Sequence, residues 1–167
     1  MSKSIPLNDT SHVRQSVLSD AIELSKIIRQ ADLDEIEIST DQSPLECLVE
    51  PFTQPNRYQT YSLIGNEGEV VGMFGINVDG VVWMISSDLL YSKYLRQFLQ
   101  QTRHWINVVQ GSHNVIYNYV DPRNRRSLMW LQYVGFEISP QTQPHGPWGH
   151  PFHLIYRFRR NDPHVYE

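Results

Sequence analysis

The chain has 167 residues, of which 40% are apolar and 19% charged, and a formal net charge of −4. That length suits one domain with a real hydrophobic core, and the negative balance argues against a broad electrostatic grip on nucleic acid or an anionic membrane. Cys47 is the one cysteine, so no internal disulfide is possible; no segment approaches the roughly 18 apolar residues of a membrane span, and "MSKSIPLNDT" lacks the apolar core of a signal peptide, which sets the expected location as a cytoplasm or something assembled there.

Residues 1–11 read as a loose polar arm, 12–160 as a single domain and 161–167 as a tail. "HVRQSV" reads as a first short strand. Ser19 is placed as an N-cap with Asp20 in the first helical turn, and Ala21, Leu24, Ile28 and Ala31 follow at helical spacing, which predicts a helix over about 20–31. "DLDEIEISTDQSPLECLVEPF" is acidic and broken by Pro44 and Pro51; it reads as loop with one short helix around Leu45–Val49.

The period then changes. "QTYSLIGN", "EVVGMFGIN" and "VVWMISSD" are three apolar strands, separated by Asn66-Glu67-Gly68 and Val78-Asp79-Gly80, short turns that join antiparallel neighbours. A long helix is predicted from Lys93 to Val109, stopping at Gly111. "NVIYNYV" is the next strand, Asn124 is placed to cap the following helix, and Leu128, Leu131 and Val134 mark that helix's buried face before Gly135. "FEIS" and "PFHLIYRF" close the chain. The order β-α-α-β-β-β-α-β-α-β-β describes an α/β (α+β) fold, a mixed, mostly antiparallel sheet flanked by helices.

That order resembles the GNAT (Gcn5-related N-acetyltransferase) fold, and Asn124, Ser127, Leu128, Gly135 and Phe136 fall in register with the family's last-helix pattern, over a resemblance spanning about 13–160. A narrower set, "VVWMISSDLL", "VIYNYVDPRNRRSLMWLQYVGFEI" and "PFHLIYRF", resembles a phage GNAT-like family that includes the internal virion protein A of podovirus-type phages. This resemblance implies a virion-associated or DNA-ejection role, with other virion proteins near the portal vertex as partners and the virion or host cytoplasm as location.

Two departures bear on the chemistry that the resemblance implies. The family cradles the acetyl-CoA pyrophosphate on a glycine-rich turn at a helix start, whereas this chain has no glycine between Gly80 and Gly111; Leu89, Leu90 and Tyr91 would crowd a phosphate and Asp88 would repel it. The family's plus-seven Tyr, which protonates the leaving thiolate, is Leu131 here, and Tyr133 lies on another side of the helix. The expectation is a fold kept without the catalysis, with no catalytic residue and no cofactor. The alternative is an acetyl-CoA-dependent N-acetyltransferase in which Met84, Ile85, Ser86, Ser87, Asp88 and Asn124 contact the cofactor, the main chain of Met84 and Ile85 holding the pantetheine amides.

Asp88 and Asn124 each have a plainer reading as helix caps. Arg123, Arg125, Arg126, Arg157, Arg159 and Arg160 are a candidate basic patch, and Trp148, among glycines and prolines, a candidate partner anchor beside Arg125 and Arg126. His145, His150 and His153 match no zinc spacing. Cys47 reads as a small hydrophobe, and no Ser/His/Asp or Cys/His set stands at a usable spacing.

Overall fold

The computed structural model describes residues 11–160. The expected arm and tail lie outside the described residues, apart from Ser11, which already belongs to the first strand. Strands β1 (Ser11–Gln15), β2 (Tyr58–Gly65), β3 (Val70–Asn77) and β4 (Val82–Ser86) form one antiparallel arm in that spatial order. The second arm is built on β8 (His150–Phe158), which lies between β5 (Val115–Val120) and β6 (Glu137–Ile138) and carries β7 (Gln143–His145) as a hairpin at its start.

Three helices connect β1 to β2: α1 (Leu18–Ser25), α2 (Gln30–Ser39) and α3 (Pro44–Thr53). The turn α4 (Leu89–Ser92) and the long α5 (Leu95–Gln110) connect β4 to β5, and α6 (Arg125–Tyr133) connects β5 to β6. Ala21, Leu24 and Leu48 of α1 and α3 are fully buried against Ile64, Val70 and Met73 on one sheet face. On the other, Val109, Leu131 and Val134 meet Ile76, Val82, Ile116 and Ile155.

The mixed, mostly antiparallel sheet with flanking helices is the expected class, with three local corrections. The helix expected over 20–31 ends at Ser25, because Ile28 leaves it to bridge Ser87, and a second helix starts at Gln30 and runs to Ser39, well into the stretch read as loop. Ser19 is not the cap: Val17 holds that position and its N–H donates to the Asp20 carboxylate at 3.0 Å. His145 and His150 sit on paired strands, where an irregular loop was expected.

Among the described residues the backbones of the two arms join at one end. Val81 bridges Tyr117 in parallel, and Tyr117 N–H donates to Gly80 O at 3.0 Å. Gly80 has φ +86°, and a Cβ there would lie 2.9 Å from Val115 O. Gly80→Ala is therefore expected to destabilise the fold by about 1–2 kcal/mol, read as a lower denaturation midpoint; an unchanged midpoint would show that the junction tolerates a side chain.

Candidate active site between the parted strands

Beyond the Val81–Tyr117 bridge β4 and β5 part. Ser87 N–H donates to Val71 O at 2.9 Å, which fixes the alternation of the antiparallel ladder. Trp83, Ile85 and Ser87 bond toward β3, while Val82, Met84 and Ser86 turn their peptide groups into the gap. The same counting from Arg159 N–H to Asn114 O turns Tyr117, Tyr119 and Asp121 inward from the β5 side.

A strand edge with no neighbour needs other partners, and side chains supply them. Asn118 bridges the strands: its Nδ2 donates to Val82 O at 2.5 Å and its Oδ1 accepts Tyr119 N–H at 2.7 Å. At the open end, Ser86 O accepts Arg29 N–H and Ser86 N–H donates to Asp32 Oδ2, both at 2.9 Å. Across the gap, Asp121 N–H donates to Glu35 Oε1 at 2.6 Å. Asp32 and Glu35 lie one turn apart on α2, so one helix holds the ends of both strands. Between these holds, Met84 presents its N–H and C=O to the gap.

Asn124 ties the carboxyls together. Its Nδ2 donates to Glu35 Oε2 at 3.2 Å and Asp32 Oδ1 at 3.4 Å, and its Oδ1 accepts from Arg29 Nη2 at 2.5 Å. Arg29 also pairs with Asp32 at 3.0 Å, donates to Ser127 Oγ at 3.1 Å and lies 4.8 Å over the Tyr91 ring. Burial pushes the Glu35 carboxyl up to about 7; the Asp32 and Asp121 charges add to the rise, and N–H groups from Asp121 and Asn124 oppose it. Burial also raises Asp32 above its ordinary range, against Arg29, Ser86 N–H and Asn124.

A cavity of about 110 Å³ runs under α5 across the sheet face, where Val13, Leu63, Phe74 and Phe98 line it, and reaches into the gap. Glu35, Met84, Tyr119, Ser127 and Trp130 line it toward the open end, and Val82, Val109, Leu131 and Ile155 toward the junction. His145 stacks on Tyr119 at 4.1 Å, and burial holds its imidazole below the usual value. The Trp105 indole N–H, also in the lining, is buried without a partner among the described residues.

The sequence-predicted contacts separate on this geometry. Met84 faces the gap, but Ile85 turns its peptide to β3. Both the N–H and Oγ of Ser87 donate to Val71 O, and both peptide groups of Ser86 are held by Arg29 and Asp32. Asp88 is exposed at the start of α4 without a side-chain capping bond, and Asn124 at the start of α6 likewise makes none, because its side chain is spent on Arg29, Asp32 and Glu35. The crowding expected of Leu90 is absent, since it points into the core at 1% exposure. The helical turn of α4 replaces an open loop: Lys93 and Tyr94 N–H groups both donate to Leu89 O.

Tyr133 is half-exposed beneath Arg103 and outside the cavity lining. Arg157 does not join a surface patch, being buried and donating to Gln110, Asn107 and Val134 O. Arg123 pairs with Asp121, and Arg126 lies 5.0 Å from the Tyr91 ring centre. Arg125 and Arg126 are exposed on α6, and Trp148 is exposed in the β7–β8 turn. Burial pushes the Cys47 thiol up to about 11. Among the described residues no group of three or more His, Cys, Asp or Glu is placed to hold a metal ion, and no helix is long and apolar enough to cross a membrane.

The sequence reading missed Arg29, Asp32 and Glu35. Their signal was the Arg-x-x-Asp-x-x-Glu spacing, hidden because the buried face of α2 is partly carboxylate.

No family model matches the chain, and no curated protein matches it in sequence. Solved structures match its fold. Spermidine N-acetyltransferase from Vibrio cholerae, in complex with CoA and spermine, aligns over 90% of this chain and 96% of its own at TM-score 0.64 and 13% identity. The ribosomal-protein-S5-alanine acetyltransferase of Vibrio fischeri aligns over 92% and 95% at TM-score 0.63 and 16% identity. AAC(6')-Ib, in complex with ribostamycin and coenzyme A, aligns over 90% and 94% at TM-score 0.64 and 17% identity. The chain thus has the GNAT fold.

The raised Glu35 carboxyl has a consequence for stability. Its folded value, about 7, exceeds the ordinary 4.5, so its protonation favours the folded state. That contribution is full below pH 4.5 and is lost as pH rises through about 7. Relative to Glu35→Gln, which stays neutral, the wild type is expected to lose stability across this window, by up to about 3 kcal/mol. Denaturation curves at stepped pH measure this, and parallel curves for the two proteins would contradict it.

Proposed function

We propose that this chain is an acetyl-CoA-dependent N-acetyltransferase acting on an amine. The observation that carries the reading is the Glu35 carboxyl, which titrates near neutrality and lines the same cavity as the inward-facing peptide of Met84. Fold neighbours whose names describe spermidine N-acetylation and alanine acetylation add support by analogy.

Bound acetyl-CoA would supply a thioester carbonyl as the acetyl source. Glu35 takes the proton that the acceptor nitrogen loses as its bond to the acetyl carbon forms, a role suited to a base with a pKa near the working pH. Met84 N–H is the donor available to the carbonyl oxygen as charge develops there. Arg29 and Asn124 hold Asp32 and Glu35 in place, so the base does not swing into solvent. As the carbon–sulfur bond breaks, the sulfur's proton comes from a cavity hydroxyl; Thr102, Tyr119 and Ser127 carry those in the lining. The fit differs from the glycine cradle at the phosphate end, where exposed Arg96 near the start of α5 and Arg125 and Arg126 at the start of α6 would supply positive charge instead.

The virion-assembly reading rests on the phage resemblance alone and gains nothing from the structural neighbours. Thiol release from acetyl-CoA in the presence of a panel of primary amines separates the two. Turnover is expected, with Glu35→Gln lowering kcat by about 10²–10⁴-fold while acetyl-CoA affinity changes little. A folded protein that neither binds acetyl-CoA nor releases thiol would overturn the enzyme and leave the assembly role.

A further inference from the structure

We propose that the closed end of the cavity is an acyl pocket, and that the enzyme uses acyl-CoA donors with short unbranched chains longer than acetyl, such as butyryl-CoA. This rests on the acyl-transfer reading above. The geometry places the acyl carbonyl at Met84, the inward-facing peptide of β4 that neither Asn118 nor the α2 carboxylates hold. Acetyl needs room for one methyl beyond that point. The cavity lining, however, continues along β4 to Val82, two residues nearer the junction, a further distance of roughly 6–7 Å.

The walls of that extension suit a hydrocarbon chain. Val82, Ile106, Val109, Leu131, Phe136 and Ile155 all line the cavity and all belong to, or pack against, one hydrophobic cluster. No charged side chain occurs in this part of the lining, so an acyl group ending in a carboxylate would be desolvated without a partner. The Asn118 carboxamide bridges the strands at the level of Val82, so their backbones stay apart there. The bonds exchanged are those of acetyl transfer: the acyl carbon gives up sulfur for the acceptor nitrogen, and the nitrogen's proton passes to Glu35.

Calorimetric titration of the full chain with CoA, acetyl-CoA, butyryl-CoA and succinyl-CoA tests the pocket. Burial of each added methylene is worth about fourfold in affinity, so butyryl-CoA, with two more, is expected to bind roughly fifteenfold more tightly than acetyl-CoA, and succinyl-CoA more weakly than butyryl-CoA. Val109→Phe, which fills the closed end, is expected to remove the butyryl advantage. Ile106→Phe, at a less buried position of the same wall, serves if the first variant does not fold. Wild-type affinity that is flat or falls from acetyl to butyryl overturns the pocket while leaving acetyl transfer intact; failure of CoA and every thioester to bind overturns the acyl-transfer reading itself.

Discussion

The structure turns on the parting of β4 and β5. Two parallel neighbours that separate leave inward-facing N–H and C=O groups that the interior will not tolerate unpaired. This chain answers along the length of the gap with different chemistry at each level. Near the junction a backbone bond joins Tyr117 to Gly80; one step out the Asn118 carboxamide spans the strands; at the open end Asp32 and Glu35 receive the last N–H of each. What lies between is a cavity with an inward-facing peptide at Met84 and a carboxyl at its mouth.

Holding strand ends with carboxylates has an electrostatic cost that becomes a chemical property. Two acids one turn apart, Asp32 buried and Glu35 partly so, repel each other and lose hydration. Arg29 neutralises part of this through its pair with Asp32, and Asn124 divides its two N–H bonds between the carboxyls. The remaining imbalance falls on Glu35, whose proton affinity rises toward neutrality. The same network that closes the sheet therefore leaves a carboxyl of raised proton affinity at the cavity, and the proposed acyl transfer uses that group as its base in a chain lacking the glycine cradle and the plus-seven tyrosine.

The regular elements were legible in the sequence because their burial is periodic. β2, β3, β4 and β8 carry apolar runs, α5 and α6 bury one stripe each, and Gly68, Gly80 and Gly135 adopt the positive φ that their turns require. α2 was not legible, since the side chains it buries are Asp32 and Ile36 rather than an apolar stripe, and an acidic run broken downstream by Pro44 and Pro51 looks like loop. Asn124 shows the limit at the site. Its place at the start of α6 was foreseeable, but its partners Arg29, Asp32 and Glu35 lie some ninety residues away in sequence, and no local pattern announces a contact made by the sheet. Ile85 illustrates the same limit on a smaller scale: it shares β4 with Met84, and only the ladder's phase, set by Ser87 and Val71, decides which peptide faces the gap.

The most direct test of this mechanism is the ionisation of Glu35 itself, followed by carboxyl carbon NMR across a pH titration, with Glu35→Gln to assign the resonance. A midpoint near 7 is the expected result and would establish a buried base held between the parted strands. A midpoint near the ordinary 4.5 would mean that the carboxyl is well solvated, and the role assigned to it in proton transfer would fall.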